Sequence, residues 1–312
     1  MIKKCIGCGT VLEYENKEAS GYTPNIKNDY CMRCFRLKNY GEIKPNETVD
    51  EERILTKVNK SRGLVFFLID YLNLNKYTLD IFKKITLRKV LVISKSDILR
   101  RDMKFSKIKS WLNQVYDINE DIIFMSNKNN YYNLNIFKTL TKYNIKTCYV
   151  MGITNSGKST FINSILKKNN INKEIVTSNK PNTTLDFIKI RIDDYIIYDT
   201  PGFNYSNVNY KLLNNEIKPI TFNITKETTI IINNNFEFFF TEPNSITIYT
   251  TDNSVKRIYK NNKKLTLPII VPNNSDLIIP GIGFINVKNT CQILSNIEIP
   301  EIRPNISGEN YE

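Results

Sequence analysis

Near the middle of the chain, Gly152-Ile153-Thr154-Asn155-Ser156-Gly157-Lys158-Ser159 fills every fixed position of G-x-x-x-x-G-K-[ST]. A loop of this kind turns backbone N–H groups toward phosphate oxygens at the start of a helix. Asn155, Ser156, Gly157 and Thr160 are expected along the phosphates, with Lys158 reaching the β- and γ-phosphates and Ser159 ligating Mg²⁺. Downstream, Tyr198-Asp199-Thr200-Pro201-Gly202 closes a strand-like run. Asp199 is placed to hold the Mg²⁺ through its water shell, and the Gly202 N–H to sense the γ-phosphate. Between these motifs lies the polar stretch Pro181-Asn182-Thr183-Thr184-Leu185-Asp186, suited to a switch. A threonine hydroxyl there, Thr184 before Thr183, would complete the Mg²⁺ shell in the triphosphate state. Alone, this Thr pair reads as an ordinary loop, and its position between the two motifs is what gives it a role.

The candidate base-reading motif, Ser94-Lys95-Ser96-Asp97, comes before the phosphate loop rather than after it. Guanine offers N1 and N2 hydrogens together, and the Asp97 carboxylate can accept both. Adenine lacks that pair and would leave the carboxylate unpartnered. The Lys95 stem can lie over the base. Ser126-Asn127 is where a second backbone loop would approach the guanine oxygen. In ordinary GTPases the order of the two motif groups is the reverse.

The elements that must position these residues alternate from about residue 54 to 200. Apolar runs at Leu64–Ile69, Val90–Ile93, Ile122–Met125 and Thr147–Met151 read as strands buried on both faces. Phe187–Ile192 and Tyr195–Tyr198 form a pair around Asp193-Asp194. Helical pieces are expected near 76–87, 104–116, 132–143 and 158–168, the last with Phe161, Ile162, Ile165 and Leu166 on one face. This is the pattern of a doubly wound α/β sheet. Beyond residue 220, Ile, Thr, Phe and Tyr with Asn-rich turns at 233–235, 261–262 and 272–274 read as short antiparallel strands. Phe236, Phe238, Phe239 and Phe240 could stack bases, but core packing is the favoured reading.

Four of the six cysteines form two C-x-x-C pairs, Cys5/Cys8 and Cys31/Cys34. Four thiolates can close a tetrahedral shell around one Zn²⁺, a structural rather than catalytic site. The segment is too short for a core of its own, so metal would supply much of its folding energy. A disulfide pair or a redox C-x-x-C is the alternative. Arg33, Arg36, Lys38 and Lys44, with Phe35 and Tyr40, read either as an RNA-contacting face or as a solvated basic surface. Cys148 and Cys291 read as small buried hydrophobes.

The chain of 312 residues has 41% hydrophobic and 24% charged residues, so it belongs to the globular class. Its net charge of +13 suggests a polyanionic partner, nucleic acid before membrane. A lysine bias of an AT-rich genome, in keeping with the absence of His, is the bland explanation. No run is long and apolar enough to span a bilayer. No leader is read before Met1-Ile2-Lys3-Lys4-Cys5, and a cytoplasmic, monomeric protein is expected.

Taken together, these residues resemble the YqeH family of circularly permuted GTPases, which act in assembly of the small ribosomal subunit. The resemblance rests on Cys5-Ile6-Gly7-Cys8-Gly9, Cys31 to Tyr40, Asn155 to Asn163, Thr183-Thr184-Leu185-Asp186 and Asp199-Thr200-Pro201-Gly202. Ile278 to Phe284 is similar to a Gly-Leu-Gly-Trp turn in the family's C-terminal domain, thought to contact RNA or protein. The resemblance implies an α/β, circularly permuted P-loop GTPase domain over 45–215. It also implies a four-Cys zinc module over 1–44 and a β-rich C-terminal domain over 216–312. Implied ligands are GTP/GDP, Mg²⁺ and Zn²⁺, and the implied partners are the small ribosomal subunit and its rRNA.

The sequence departs from the family at Ser94 for Asn, Asn182 for Gly, Asn127 for Ala, and Tyr71-Leu72-Asn73-Leu74-Asn75 for Asp-Phe-Asn-Gly-Ser. Loss of the asparagine is expected to remove one base-side hydrogen bond. Phe203 stands where Ras-type enzymes place a water-orienting Gln, so Lys158, Thr184 and Gly202 would act in a slow intrinsic hydrolysis. Stimulation by a partner or by K⁺ is implied, with Asn155 as the K⁺ ligand. The alternatives are a GTP switch on another RNA or membrane partner, and a zinc-dependent RNA-binding scaffold with a decayed nucleotide site.

Overall fold

The computed structural model describes residues 3–5, 11–15, 21–25, 27–32, 51–99, 103–126, 136–168, 187–203, 219–250, 255–259 and 265–306, with backbone only at 166–168. Its described residues group into two compact units. The first comprises Met1–Asp70, Ile81–Ser94 and Glu120–Asn204, and the second Tyr71–Asp80, Lys95–Asn119 and Tyr205–Glu312. Packing groups two stretches between strands of the first unit, residues 71–80 and 95–119, with the C-terminal residues.

The first unit is built on a six-stranded sheet of β1 (Leu64–Asp70), β2 (Lys89–Ser94), β3 (Asp121–Phe124), β4 (Thr147–Gly152), β5 (Ile188–Ile192) and β6 (Tyr195–Asp199). The order is β3-β2-β1-β4-β6-β5. All neighbours are parallel except β5 and β6, a hairpin turned at Asp193, where φ is +48°. Every residue of β1 is buried, as expected of a strand covered on both faces.

Leu64, Phe66 and Leu68 face a core shared with helices α4 (Ile136–Lys142) and α5 (Lys158–Lys168), through Ile136, Leu140, Phe161, Ile162 and Ile165. Phe67 points the other way. Its ring lies 5.8 Å from Phe82 of helix α2 (Lys76–Lys83) and 6.0 Å from Phe203. Helix α1 (Glu51–Asn59), not anticipated from the sequence, buries Ile54, Leu55 and Val58. Helices α2 and α4 are shorter than expected. Thr86 takes the Asn59 side-chain oxygen instead of a helical partner, and residues 131–135 lie outside the described part.

The second unit holds two five-stranded antiparallel sheets. One has the order β16-β13-β14-β10-β7 and the other β11-β8-β9-β15-β12. The first comprises β7 (Ile220–Ile224), β10 (Asn244–Thr250), β13 (Ser275–Ile279), β14 (Gly283–Val287) and β16 (Ile302–Pro304). The second comprises β8 (Thr228–Ile232), β9 (Phe236–Phe240), β11 (Val255–Ile258), β12 (Leu267–Val271) and β15 (Cys291–Ser295). Side chains of both sheets share one apolar core, the arrangement of a β-sandwich. Phe238 and Phe240 are wholly buried in it, and Phe239 is 2% exposed, so these rings pack rather than stack bases.

Helix α3 (Phe105–Tyr116) belongs to this unit through Arg303. The Arg303 guanidinium is buried, 3.3 Å from the Asp276 carboxylate, and donates to the Leu74 carbonyl. It lies 5.0 Å from the Trp111 ring and 5.1 Å from Phe284. On either side of Arg303, Trp111 Nε1 donates to the Pro304 carbonyl at 3.1 Å, and the Tyr116 hydroxyl donates to Glu301. Burial pushes the Asp276 carboxyl up, while Arg303 and the Asn286 amide pull it back toward the charged form. The stretch Tyr71 to Asn75 serves here as a buried turn. Thr78 caps it by donating to the carbonyls of Asn73 and Asn75.

Removing one partner of a buried ion pair strands the other charge. Arg303→Met is therefore expected to destabilise this unit by about 3–5 kcal/mol. Urea unfolding followed by Trp111 fluorescence measures it, and Arg303→Met with Asp276→Leu should recover part of the loss. An unchanged midpoint for the single variant would contradict this role.

Candidate nucleotide site

The phosphate loop leaves the end of β4 beside β1, where the strand order reverses, the usual ligand position of an open α/β sheet. Gly152 makes this possible. Its φ is +145°, and a Cβ there would lie 2.2 Å from the Leu68 carbonyl oxygen. Asn155 takes the left-handed conformation at φ +67° and is exposed, and Gly157 follows at +86°. Thr160 is exposed on the first turn of α5. Ser156 is fully buried, and its hydroxyl meets no hydrogen-bond partner among the described residues.

Lys158 folds back over the loop, with Nζ 3.2 Å from the Gly152 carbonyl and 3.3 Å from that of Ile153. A Cβ on Gly202 would come within 2.7 Å of that Nζ, so the glycine leaves room beside the cation. Ser159 is half-buried on the first turn of α5, and Asp199, 5% exposed, ends β6 next to β4. A cation, a small hydroxyl and a carboxylate at adjoining strand and helix ends fit a magnesium-bound triphosphate. The α5 N-terminus adds its own favourable field for anions.

The turn after Asp199 is fastened to the phosphate loop. Thr200 donates both its N–H and its hydroxyl to the Val150 carbonyl, each at 3.2 Å. The Phe203 N–H reaches the Gly152 carbonyl at 3.1 Å. In return the Phe203 carbonyl accepts the Thr154 N–H at 2.7 Å and the Thr154 hydroxyl at 3.0 Å. Sequence reasoning missed Thr154, which occupies a freely variable position of the loop pattern. The Phe203 side chain is wholly buried against Phe67, so it neither orients water nor obstructs the loop.

Ser94 ends β2, 1% exposed, and its hydroxyl donates to the Ser156 carbonyl at 2.7 Å. The expected loss of a base-side bond on replacing asparagine thus has a counterpart: the serine ties the base-reading strand to the phosphate loop. Gly157 lies against the same Ser94 side chain and Met125. Met125 is itself held by its N–H on the Ile93 carbonyl at 2.8 Å, which fixes the start of the half-buried Ser126 loop. Lys95, at φ +55°, opens a short 3₁₀ turn, Ser96–Ile98, that carries the exposed Asp97. Lys95 and Asp97 fall in the second unit and the phosphate loop in the first. Thr184, Asn127 and Asn182 lie outside the described residues.

Of the proposed zinc ligands, Cys5 and Cys31 are buried together, and the Cys31 N–H donates to Cys5 Sγ at 3.1 Å. Such an N–H···S bond suits a thiolate and so fits a metal ligand. Cys8 and Cys34, with the basic residues around them, lie outside the described part. Among the described residues no group of three metal-binding side chains is assembled. Burial pushes the Cys148 thiol up to about 12 and the Cys291 thiol up to about 11, so both are inert at neutral pH.

The sheet order, the loop at its switch point and the carboxylate beside it define a P-loop nucleotide-binding protein whose base-reading strands precede the loop in the chain. A family model described as RsgA GTPase matches residues 66–209 and includes both motif groups. One described as 50S ribosome-binding GTPase matches 147–273. The protein YqeH of Bacillus subtilis (strain 168) is 33% identical over 253 residues, 72% of this chain and 69% of that protein. The small ribosomal subunit biogenesis GTPase RsgA of Mesomycoplasma hyopneumoniae (strain J) is 30% identical over 169 residues, covering 51% of this chain and 56% of that protein. A crystal structure of YjeQ from Thermotoga maritima aligns with 48% of this chain and 51% of its own at 24% identity. The TM-score of that alignment is 0.32. The chain belongs to the YqeH family of circularly permuted GTPases, and it hydrolyses GTP.

Ser94→Ala would leave the buried Ser156 carbonyl without its donor, at a cost of about 1–3 kcal/mol. The loop must then be ordered by the nucleotide itself. The expected outcome is a lower melting temperature and GDP binding weakened by about tenfold, read by calorimetric titration. Unchanged affinity would contradict a tie between the two motifs.

Proposed function

We propose that this GTPase assists assembly of the small ribosomal subunit, engaging its rRNA according to the bound nucleotide. The observation that carries this reading is the RsgA GTPase match over 66–209, which includes base-reading and phosphate motifs in their permuted order. The Mesomycoplasma relative, named for small-subunit biogenesis, supports the same subunit. A second reading, the large subunit, is favoured by the 147–273 match to a 50S ribosome-binding GTPase. Residues 220–224, 228–232 and 236–240 of that stretch are strands of the sandwich rather than of the nucleotide sheet, which weakens it. The net charge of +13 suits an rRNA partner, and no described helix is long and apolar enough to cross a membrane. Work on ribosomes would place the protein in the cytoplasm.

In this reading, Ser159, Thr184 and Asp199 would hold Mg²⁺, which would supply charge neutralisation for the β- and γ-phosphates. Lys158 exchanges its loop carbonyls for phosphate oxygens, and the Gly202 N–H donates to the transferring group. Lys95 and Asp97, with the Ser126-Asn127 loop, select guanine. No side chain at position 203 holds the attacking water, so the intrinsic rate is slow. Completion comes from the ribosomal partner or from K⁺ at the exposed Asn155. Cys5, Cys8, Cys31 and Cys34 hold one structural Zn²⁺.

K⁺ at Asn155 predicts faster GTP turnover in KCl than in NaCl of equal ionic strength, and equal rates would remove it. The ribosomal reading predicts that purified, zinc-containing protein co-sediments with small subunits with a GTP analogue and less so with GDP. Binding only to large subunits would favour the second reading. Binding to neither would sink both, and metal analysis without zinc would sink the four-cysteine module.

A further inference from the structure

Strands β7 and β11 are end strands of their two sheets. Arg257 closes them together, with Nη2 donating to the Asn223 carbonyl at 3.0 Å. Its guanidinium lies 5.8 Å from the Phe222 ring and 4.7 Å from the Tyr259 ring. Lys226 brings its Nζ to 4.3 Å from the same Tyr259 ring. Lys256 donates to the Asn234 side chain at 2.7 Å. The Tyr259 residue at the centre is 54% exposed, and Ile258 beside it 39%.

From these contacts the geometry points to a binding surface for single-stranded RNA, centred on Tyr259 and flanked by Lys226, Arg257 and Lys256. This rests on the ribosomal reading and adds to it a place and a chemical mode. Cations on an edge strand have another use, since they discourage edge-to-edge pairing of sheets. That use needs charge but no exposed aromatic ring. It is also poorly served by Lys226, whose chain neighbour Glu227 is exposed as well. An exposed aromatic ring with cations beside it instead matches what unpaired bases require. The base stacks on the ring while its phosphate meets a lysine or arginine. Cation–π contact holds the ring upright before the ligand arrives, which lowers the ordering cost of binding.

The surface differs from the rest of the sandwich. The buried Arg303 is already committed to Asp276, and Glu237, Glu242 and Glu298 are distributed along other strands and turns. Arg257 also braces the two edges, so it is unsuited to a test. Lys226 and Tyr259 make no such closure and have no part in the nucleotide machinery.

The test uses the full chain and a fluorescein-labelled oligouridine of about twelve nucleotides, within the span such surfaces cover. Anisotropy reads the affinity over a series of salt concentrations. Tyr259→Ala is expected to bind about tenfold more weakly and Tyr259→Phe like the unaltered protein. Lys226→Gln should lower the slope of log affinity against log salt by about 0.7, the value for one phosphate contact on a single strand. GTP turnover should be unchanged in all three variants, which reports an intact fold. Equal affinity for Tyr259→Ala and the unaltered protein would overturn the surface, as would duplex RNA bound as tightly as single strand. If the unaltered protein binds small subunits but not the oligonucleotide, the surface falls and the ribosomal reading stands. If it binds neither, both fall.

Discussion

The constraint that sets the phosphate loop is the close approach of Gly152 to the Leu68 carbonyl, where β4 ends against β1. Only a residue without a Cβ can pass there at φ +145°, and only from there can the following amides turn toward a phosphate. The rest of the site takes its position from this point. Val150, Gly152 and Thr154 present the carbonyls and donors that seat Thr200 and Phe203, so the turn after Asp199 is fixed to the phosphate loop. On the other side, Ser94 fastens the base-reading strand to Ser156. Permutation changes the order in which the chain visits these places and leaves the arrangement at the sheet edge intact, because a parallel sheet is held by strand neighbours rather than by chain order.

The C-terminal strands have a different organising centre. Arg303 is buried with Asp276, and around it Trp111, Tyr116 and Leu74 come from segments remote in sequence, with Tyr116 meeting Glu301, a near neighbour of Arg303 in the chain. A buried guanidinium needs an opposing charge and nearby acceptors, which ties α3 and the turn at Tyr71 to the sandwich. The segment holding Lys95 and Asp97 therefore belongs, by packing, with the C-terminal strands.

Much of this was legible in the sequence. Continuous apolar runs such as Leu64–Ile69 marked the buried strands, because a parallel sheet leaves no solvent face to alternate with. The phosphate loop and the Asp199 turn were legible because their chemistry demands particular residue types at fixed spacing. Thr154 and the Ser94 hydroxyl were not, since one sits at a variable position and the other looked like a loss. Arg303 was invisible for a further reason: its partners are more than a hundred residues away in sequence on α3 and at Leu74, and no local pattern announces such a contact. Helix α1 was missed because Ile54, Leu55 and Val58 form too short an apolar face to stand out.

A GTPase with its motif groups in inverted chain order should still prefer guanine over adenine nucleotides. Competition binding tests it most directly: a fluorescent GDP analogue bound to the zinc-containing protein with Mg²⁺ present, displaced by unlabelled GDP or ADP. Displacement by GDP is expected, with at least about a hundredfold weaker competition by ADP, because adenine would leave the proposed Asp97 acceptor unsatisfied. Equal competition by the two nucleotides would contradict it.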